Sequence, residues 1–513
     1  MLILSKSEMQ RADFFTKNTL GVCEEILMEN AGLAMANLVK NFVSKFDEIV
    51  VLCGPGNNGG DGIVLARRLK QLNFNVHLIF VDGVVKFSKA AAYHFKIYCN
   101  CGFDYNDLDL ENDFVFSNTK LIVDAVFGIG FHGVVDAKKV ALFEKVNASS
   151  AKVMSVDIPS GISADCGSFE SAVCADFTAV VSYLKRSAFL FPAKFNYGKI
   201  ILVDADIVVD EVDLHEIYST WGFDDFNRNF QIMTKKPCDS KWTCGSAMLV
   251  AGSKNMVGAA ILSAKACLKS GIGLLKLACP DAVKIGFLNN SVLEATYADV
   301  VEQKGVLSDV EIKNKFDVVA CGPGISRSDC AWVVVKKVLL SSSSVVLDAD
   351  ALYFLNDELL ELIKNRNNFT ILTPHVREMA KMCKCDVDYV EKNKFELAKE
   401  KSKEWNVFLI LKGPHTLIVS PNGEQFVNLS GNDSLAKGGS GDVLTGIVTA
   451  FVARCIALNG KVKMIEALCN AVFIHGYAAD ILNNFKNKAR QSIVALDLVE
   501  CLSSVFSYFE KLQ

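Results

Sequence analysis

Short apolar runs ending in Gly, Asp or Pro alternate with segments of helical period along nearly the whole chain, the pattern of repeated βα units. In the first half, EIVVLC (48–53), NVHLIFV (75–81), KLIVDAVF (120–127), KVMSVDI (152–158), FTAVVSY (177–183) and KIILVD (199–204) read as strands, after an amphipathic helical lead over 7–43. The second half repeats the alternation with SAMLVAG (246–252), GLLKLAC (273–279), FDVVACG (316–322), SVVLDAD (344–350), FTILTP (369–374) and NVFLILK (406–412). A hairpin over 416–428 follows, turning on Pro-Asn-Gly. The helix expected over 443–457 is apolar nearly all round and should be buried. The strands are continuous apolar runs, as in parallel sheets covered on both faces. Residues 208–240 break the rhythm, being charged, aromatic and aperiodic, which places a domain boundary near 215–225. Two α/β domains are expected, over 1–215 and 225–513. VLCGPGNN (51–58) and VACGPGIS (319–326) echo one another, but their surroundings differ, which favours shared strand-exit chemistry over duplication.

Composition narrows the function. Of 513 residues, 51% are hydrophobic and 22% charged, which excludes global disorder. With 34 Gly and 9 Pro, collagen-like and low-complexity classes fail. The 54 basic and 58 acidic residues leave net charge −4, without the basic excess a nucleic-acid partner would call for. Seventeen Cys, with no C-x-x-C, are too few for a disulfide scaffold, and Cys99-x-Cys101 and Cys383-x-Cys385 are too tight for ordinary structural zinc. The N-terminus meets charge after four apolar residues, and no apolar run approaches the ~18 residues of a spanning helix. A cytoplasmic protein without a membrane partner is expected.

The first candidate chemistry lies at Gly54-Pro55-Gly56-Asn57-Asn58-Gly59-Gly60-Asp61-Gly62, between strand 48–53 and a helix IVLARRLKQL. Gly54-x-Gly56-x-x-Gly59 formally matches a dinucleotide fingerprint, with Asp82 near the ribose-binding position. Pro55 removes a backbone donor and Asp61 puts a carboxylate where a pyrophosphate would want open N–H groups, both against an ordinary dehydrogenase site. The bland alternative is a tight turn with Asp61 capping the helix. Further exits, Asp124-Ala-Val-Phe-Gly128 and Asp157-Ile-Pro159-Ser160, reach the same sheet edge, where open α/β sheets bind ligands. Asn58, Asp124 and Ser160 could offer oxygen ligands to a hard cation, and Asp157 is the best-placed general acid/base.

Together with LMENAG (27–32), the segments GPGNNGGDG, VDAVFGIG and VDIPSGISAD resemble the NAD(P)H-hydrate epimerase domain over residues 5–210. The resemblance implies a Rossmann-like three-layer α/β fold and potassium held by Asn58, Asp124 and Ser160. It implies hydrated dinucleotide bound by Asn57, Asn58, Gly59, Gly60 and Asp61, by Gly128, Ile129, Gly130, Phe131, His132, Gly133 and Val134, and by Asp157. Lys185-Arg186 departs from the expected Lys followed by a small residue.

The second candidate is Gly438-Gly439-Ser440-Gly441-Asp442 at the start of the apolar helix. Converging N–H groups and the helix dipole make an anion hole, and Asp442 stands ready to take a hydroxyl proton, an arrangement suited to phosphoryl transfer. A capped helix after a flexible turn is the bland alternative. Lys412, His375, Glu378 and Gly322-Pro323-Gly324 stand at other strand ends. GSAMLVAGSKNMVGAAILSAKACLKSGIGLLKL, CGPGIS, LDADAL, LTPHVREM, LKGPHT and NDSLAKGGSGDVLTGI resemble the ribokinase-like ADP/ATP-dependent NAD(P)H-hydrate dehydratase over 240–490. That resemblance implies a ribokinase-like α/β fold with Asp442 as catalytic base. Gly324, His375 and Asp442 would contact the hydrated dinucleotide. Lys412, Gly413, Pro414, His415 and Thr416, with Asn432, Asp433, Ser434, Leu435, Ala436, Lys437, Gly438, Gly439, Ser440 and Gly441, would hold ADP or ATP, with Mg2+ accompanying it.

The order of the halves resembles the bifunctional NAD(P)H-hydrate repair family, whose substrates are hydrated NADH and NADPH and adenine nucleotide, and a homo-oligomer is expected. The competing reading is a ribokinase-like small-molecule kinase fused to a non-catalytic nucleotide-binding domain.

Overall fold

The computed structural model describes residues 1–512 except 84–86, 111–113, 211–213, 215–216, 290–291 and 313–315. Residue 215, the expected end of the first domain, lies outside the described residues. The chain divides into two compact units, Met1–Ile217 and Tyr218–Gln513.

The first unit is built on a sheet in the order Tyr105–Asp107, Asn75–Phe80, Glu48–Cys53, Thr119–Ala125, Lys152–Val156, Phe177–Val181, Lys199–Val203, parallel throughout. Alternate side chains of Glu48–Cys53 enter different cores. Val51 packs with Met35, Ile63 and Leu65 from one helical layer, whereas Val50 and Leu52 pack with Leu142, Phe143 and Val146 from the other. Each such fully buried aliphatic side chain contributes about 1.5–3 kcal/mol, so the sheet edge is held rigidly. Because Glu48–Cys53 has later strands on both sides, its carboxyl end is a topological switch point, and a crevice opens there. Leu2–Leu4 pairs in parallel with Leu184–Lys185 beside this sheet's unit.

The helix after Cys53 begins at Asn57, inside the glycine motif, and runs to Gln71. The sequence reading started it after Gly62. A Cβ on Gly59 would stand 1.9 Å from the Gly54 carbonyl oxygen, and one on Gly62 would stand 2.7 Å from Cys53 Sγ. These glycines therefore let a helix press against a strand exit and do not form a flexible loop. Asp61 accordingly lies in the helix's second turn, while Gly56 takes the capping position.

In the second unit the strands follow the order Thr296–Tyr297, Leu274–Ala278, Ser246–Val250, Val318–Cys321, Ser344–Leu347, Thr370–Leu372, Phe408–Leu411, Leu417–Val419, Gln425–Asn428, Tyr218–Trp221. Pairing is parallel as far as Phe408–Leu411 and antiparallel through the expected hairpin. The stretch read as aperiodic is ordered into Tyr218–Trp221 and a helix Phe223–Met233, both in the second unit, which begins at 218 and not 225. Phe226, Phe230 and Met233 form the helix's buried stripe, a spacing masked by the polar residues around them. Ser440–Ala457 and Met464–Asn484 are long and apolar enough to cross a membrane, but 78% and 83% of their apolar windows are buried within the protein. The two Gly-Pro-Gly exits differ in conformation: Gly322 and Gly324 have φ of 139° and 65°, whereas Gly56 has φ −86°. Convergent use of the tripeptide fits that difference.

Candidate active sites

The first site is a cavity of about 590 Å³ at the switch point of the first unit. Asn57, Asn58, Asp61, the Gly128–His132 segment and Asp157 line it together with Met9, Asp13 and Glu24. Asn57 and Asp61 share one helix face by their i, i+4 spacing. Gly59 and Gly60 lie behind the wall, where a Cβ would strike Gly54 or Met28. Gly133 and Val134 are not among the lining residues, and Val134 is 77% exposed.

Asn58, Asp124 and Ser160 do converge. The Asn58 side-chain amide donates to the Phe127 carbonyl at 2.9 Å, and the Phe127 N–H donates to Ser160 Oγ at 2.8 Å. Asp124 accepts from Ser155 Oγ (2.8 Å), the Ser160 N–H (2.9 Å) and Ser160 Oγ (2.5 Å). Asp124 is 1% exposed, and burial raises its pKa against these hydrogen bonds, while among the described residues no ion pair with it is formed. A buried carboxylate served only by neutral donors, next to an amide, a carbonyl and a hydroxyl oxygen, is a donor set that fits a hard monovalent cation.

Asp157 adopts φ 65° at its strand exit. Its Oδ1 accepts the Val181 N–H at 2.9 Å and pairs with the ammonium of Lys185, which also donates to the Val181 carbonyl at 3.0 Å. Lys185 is fully buried. Its role as counter-ion was missed in the sequence, where it registered only as half of a Lys-Arg departure. Arg186, the other half, holds Glu8 of the helix Lys6–Asn18, the helix that supplies Met9 and Asp13 to the cavity.

The second site forms where Phe408–Leu411, Ser344–Leu347 and Thr370–Leu372 end. Asp348, buried at 1% exposure, accepts Lys412 Nζ at 2.6 Å and Thr445 Oγ1 at 2.5 Å. The Lys412 charge and these hydrogen bonds hold the Asp348 carboxyl below its usual range, and its charge in turn raises Lys412. Helix Ser440–Ala457 starts from Gly439 in the left-handed region (φ 89°) and places Asp442 in its first turn, one turn before Thr445. Burial, then the Asp348 charge, push Asp442 up to about 6, against the pull of Lys412. A Cβ on Gly441 would stand 3.6 Å from Lys412 Nζ, so the glycine turn lies against the lysine's ammonium.

His375 caps helix Val376–Met382, its Nδ1 accepting the N–H groups of Arg377 (3.1 Å) and Glu378 (3.3 Å). Burial raises Glu378 to about 7 even with Lys412 near. Gly324 takes φ 65° and packs closely on Met256.

Others of the sequence-selected residues are occupied structurally. Asn432 bonds Asp480 at 2.9 Å and accepts the Ser434 N–H at 3.1 Å; Asp433 pairs with Arg490 at 3.3 Å. Leu435 packs on the hydrophobic core, Lys437 reaches the Gln491 carbonyl at 2.6 Å, and Ser440 Oγ meets His475 Nε2 at 3.1 Å. The carbonyls of Pro414 and His415 accept Lys394 Nζ, and Thr416 Oγ1 donates to the Gly413 carbonyl at 3.2 Å. Ala436 and Gly438 are exposed beside the anion-hole turn. Asp348 and Asp350 were quoted within LDADAL without a role. Asp350 binds Arg327 at 2.9 Å and adds to the negative field on Asp442.

A cavity in the first unit and a buried cluster in the second, both at the carboxyl edges of parallel sheets and each with a carboxylate beside a lysine, define a two-domain α/β enzyme of nucleotide chemistry. The family model described as NAD(P)H-hydrate dehydratase matches residues 247–503, and that of the YjeF-related protein N-terminus matches 24–187. The bifunctional NAD(P)H-hydrate repair enzyme of Thermofilum pendens is 30% identical over 504 residues, covering 94% of this chain and 92% of the relative. That of Moorella thermoacetica is 30% identical over 536 residues, covering 100% and 98%. A crystal structure of the Bacillus subtilis ADP/ATP-dependent NAD(P)H-hydrate dehydratase with ATP/Mg2+ is 28% identical over 55% of this chain and 96% of its own, with a TM-score of 0.47. The chain belongs to the family of bifunctional NAD(P)H-hydrate repair enzymes.

Proposed function

We propose that the chain repairs hydrated NADH and NADPH, with the first unit interconverting the R and S forms at C6 and the second dehydrating the S form with ADP or ATP. The observation that carries the reading is Asp442: a half-buried carboxylate poised at about 6, on the first turn of a helix whose glycine start meets Lys412. A base with that pKa is ionised at neutral pH yet basic enough to accept a hydroxyl proton. Asp442 takes the proton of the C6 hydroxyl as the terminal phosphoryl group of the nucleotide passes to that oxygen. Backbone N–H groups of the 438–441 turn and Lys412 hold the charge on the phosphoryl oxygens. The ring nitrogen's lone pair then expels phosphate to give an iminium, and transfer of a C5 proton to the departing phosphate closes the C5–C6 double bond, leaving NAD(P)H, phosphate and AMP or ADP.

Potassium at Asn58, Asp124 and Ser160 is part of this proposal, supported by the uncompensated buried carboxylate; it would neutralise that charge and fix the Phe127 turn at the cavity wall. Mg2+ is assigned to the nucleotide's phosphates. Its shell in such sites is mostly water and phosphate. Among the described residues there is no cluster of three or more His, Cys, Asp or Glu able to hold a metal alone. A homo-oligomer in the cytoplasm completes the reading.

The test is recovery of NADH absorbance from a mixed-epimer pool of hydrated NADH with ADP or ATP. Wild type should restore the whole pool with release of free phosphate, and Asp442→Ala should restore none. Failure of wild type with nucleotide bound, or accumulation of a phosphorylated product, would put the small-molecule kinase in front.

A further inference from the structure

Four carboxylates line the first cavity: Asp13, Glu24, Asp61 and Asp157. Three have partners. Lys17 pairs with Asp13 at 2.5 Å and Glu24 at 3.4 Å, and Glu24 also accepts the Asn57 amide at 2.8 Å. Asp157 is held by Lys185, leaving its Oδ2 without a donor among the described residues. Nothing among the described residues donates to or pairs with Asp61, although its backbone is locked by the glycine-packed helix. Of the charged groups facing it, Asp157 and Glu24 are negative and Lys185 is already committed; His132 lies elsewhere on the cavity wall, and the buried Cys53 thiol lies beneath. Burial and the Asp157 charge raise the Asp61 carboxyl well above its ordinary range. One cavity thus presents a lysine-paired carboxyl and one without a partner among the described residues, two unlike settings of the kind by which paired carboxyls divide acid and base work.

We propose that Asp61 is a second catalytic residue of this site, the acid that protonates the ring nitrogen of the hydrate while Asp157 removes the C6 hydroxyl proton. The inference rests on the epimerase reading above. The hydrate is a hemiaminal, with hydroxyl and ring nitrogen on the same carbon. As Asp157 takes the O–H proton, the oxygen electrons form a C6 carbonyl and the C6–N bond breaks. That electron pair goes to nitrogen, which receives the Asp61 proton. The aldehyde turns its other face, and nitrogen re-forms the bond to C6. Asp61 then recovers its proton from nitrogen and Asp157 returns the other to oxygen. Both carboxyls end as they began, and no oxidant, reductant or water is consumed.

The experiment supplies the full-length protein with the pure R form, reading NADH recovery through the second unit, and in parallel with the pure S form. Asp61→Asn, which keeps the size and neutrality of the side chain but cannot deliver a proton, should lower kcat for the R form by at least ~10²-fold. KM should stay within about threefold, and S-form recovery should be unchanged. In wild type the R-form rate should fall at alkaline pH as Asp61 ionises; Asp61→Glu should restore part of the rate and keep that alkaline limb. Asp61→Asn epimerising within about threefold of wild type, or failing only through KM, would overturn the proposal while leaving the epimerase reading intact. No R-form turnover by wild type itself would instead overturn the epimerase reading and this proposal with it.

Discussion

At the residue scale, the proposed base Asp442 would tie activity to instability. Its folded carboxyl sits at about 6 against an ordinary 3.8, so the folded protein binds the proton more tightly than the unfolded chain. Its contribution to stability is present below the ordinary value and is lost as pH rises through about 6. Asp442→Asn should therefore abolish dehydration yet raise Tm by about 2 °C or more at pH 8, with little gain at pH 4, in thermal melts of the full chain. The wild-type dehydration rate should rise with pH across the same interval as the base ionises. Asp348 and Lys412 are the opposite case, a pair whose members protect each other. Asp348→Ala leaves a largely buried ammonium unpartnered and should cost about 3–5 kcal/mol in urea unfolding. Replacing both should cost less than the sum of the single changes, a coupling that a double-mutant cycle reads directly.

At the element scale, glycine decides how closely helices approach. Gly446, in the middle of Ser440–Ala457, faces helix Val257–Lys269 so tightly that a Cβ would lie 2.2 Å from the Ser263 carbonyl oxygen. Backbone cannot yield there, so Gly446→Ala should destabilise by about 1–3 kcal/mol and weaken dehydration while epimerisation persists. Gly130→Ala, at a position with nothing within 4 Å, should leave Tm unchanged within about 1 °C, which a parallel melt checks.

The parallel strands were legible because continuous apolar runs such as EIVVLC have one reading, and Glu48–Cys53 matches it end to end. The helix start at Asn57 was not, because glycines that serve close packing look in sequence like glycines that serve a loop. The Phe223–Met233 helix hid for a related reason: its three buried residues are separated by Asn227, Arg228, Asn229 and Gln231 and follow Asp224 and Asp225. In the sites, Asp442 and Asp157 stood out by their place at strand and helix ends. The Lys185 counter-ion and the isolation of Asp61 did not, since both depend on which groups the fold brings near, across more than twenty residues of chain.

At the scale of the whole molecule, two chemistries share one chain but not one set of residues, and the recovery assay should separate them by amplitude. Asp157→Asn with a mixed-epimer pool should recover the S fraction at the wild-type rate and then stop, apart from slow spontaneous interconversion. Asp442→Asn should recover nothing at any time. A partial yield from Asp442→Asn would show that the second unit has another base.

The first cavity has unequal walls. The wall bearing Asn57 and Asp61 is fused to the sheet by contacts in which no heavier side chain than glycine fits. The wall bearing Met9 and Asp13 belongs to a helix fastened by polar clasps, Glu8 to Arg186 and the Lys6 N–H to Asp165 at 2.9 Å. Divergence in what the site accepts therefore has one direction open to it. The reacting side is frozen by geometry, and any new ligand shape must be accommodated by substitutions on the clasped helix, where a changed side chain moves a fastening instead of a foundation.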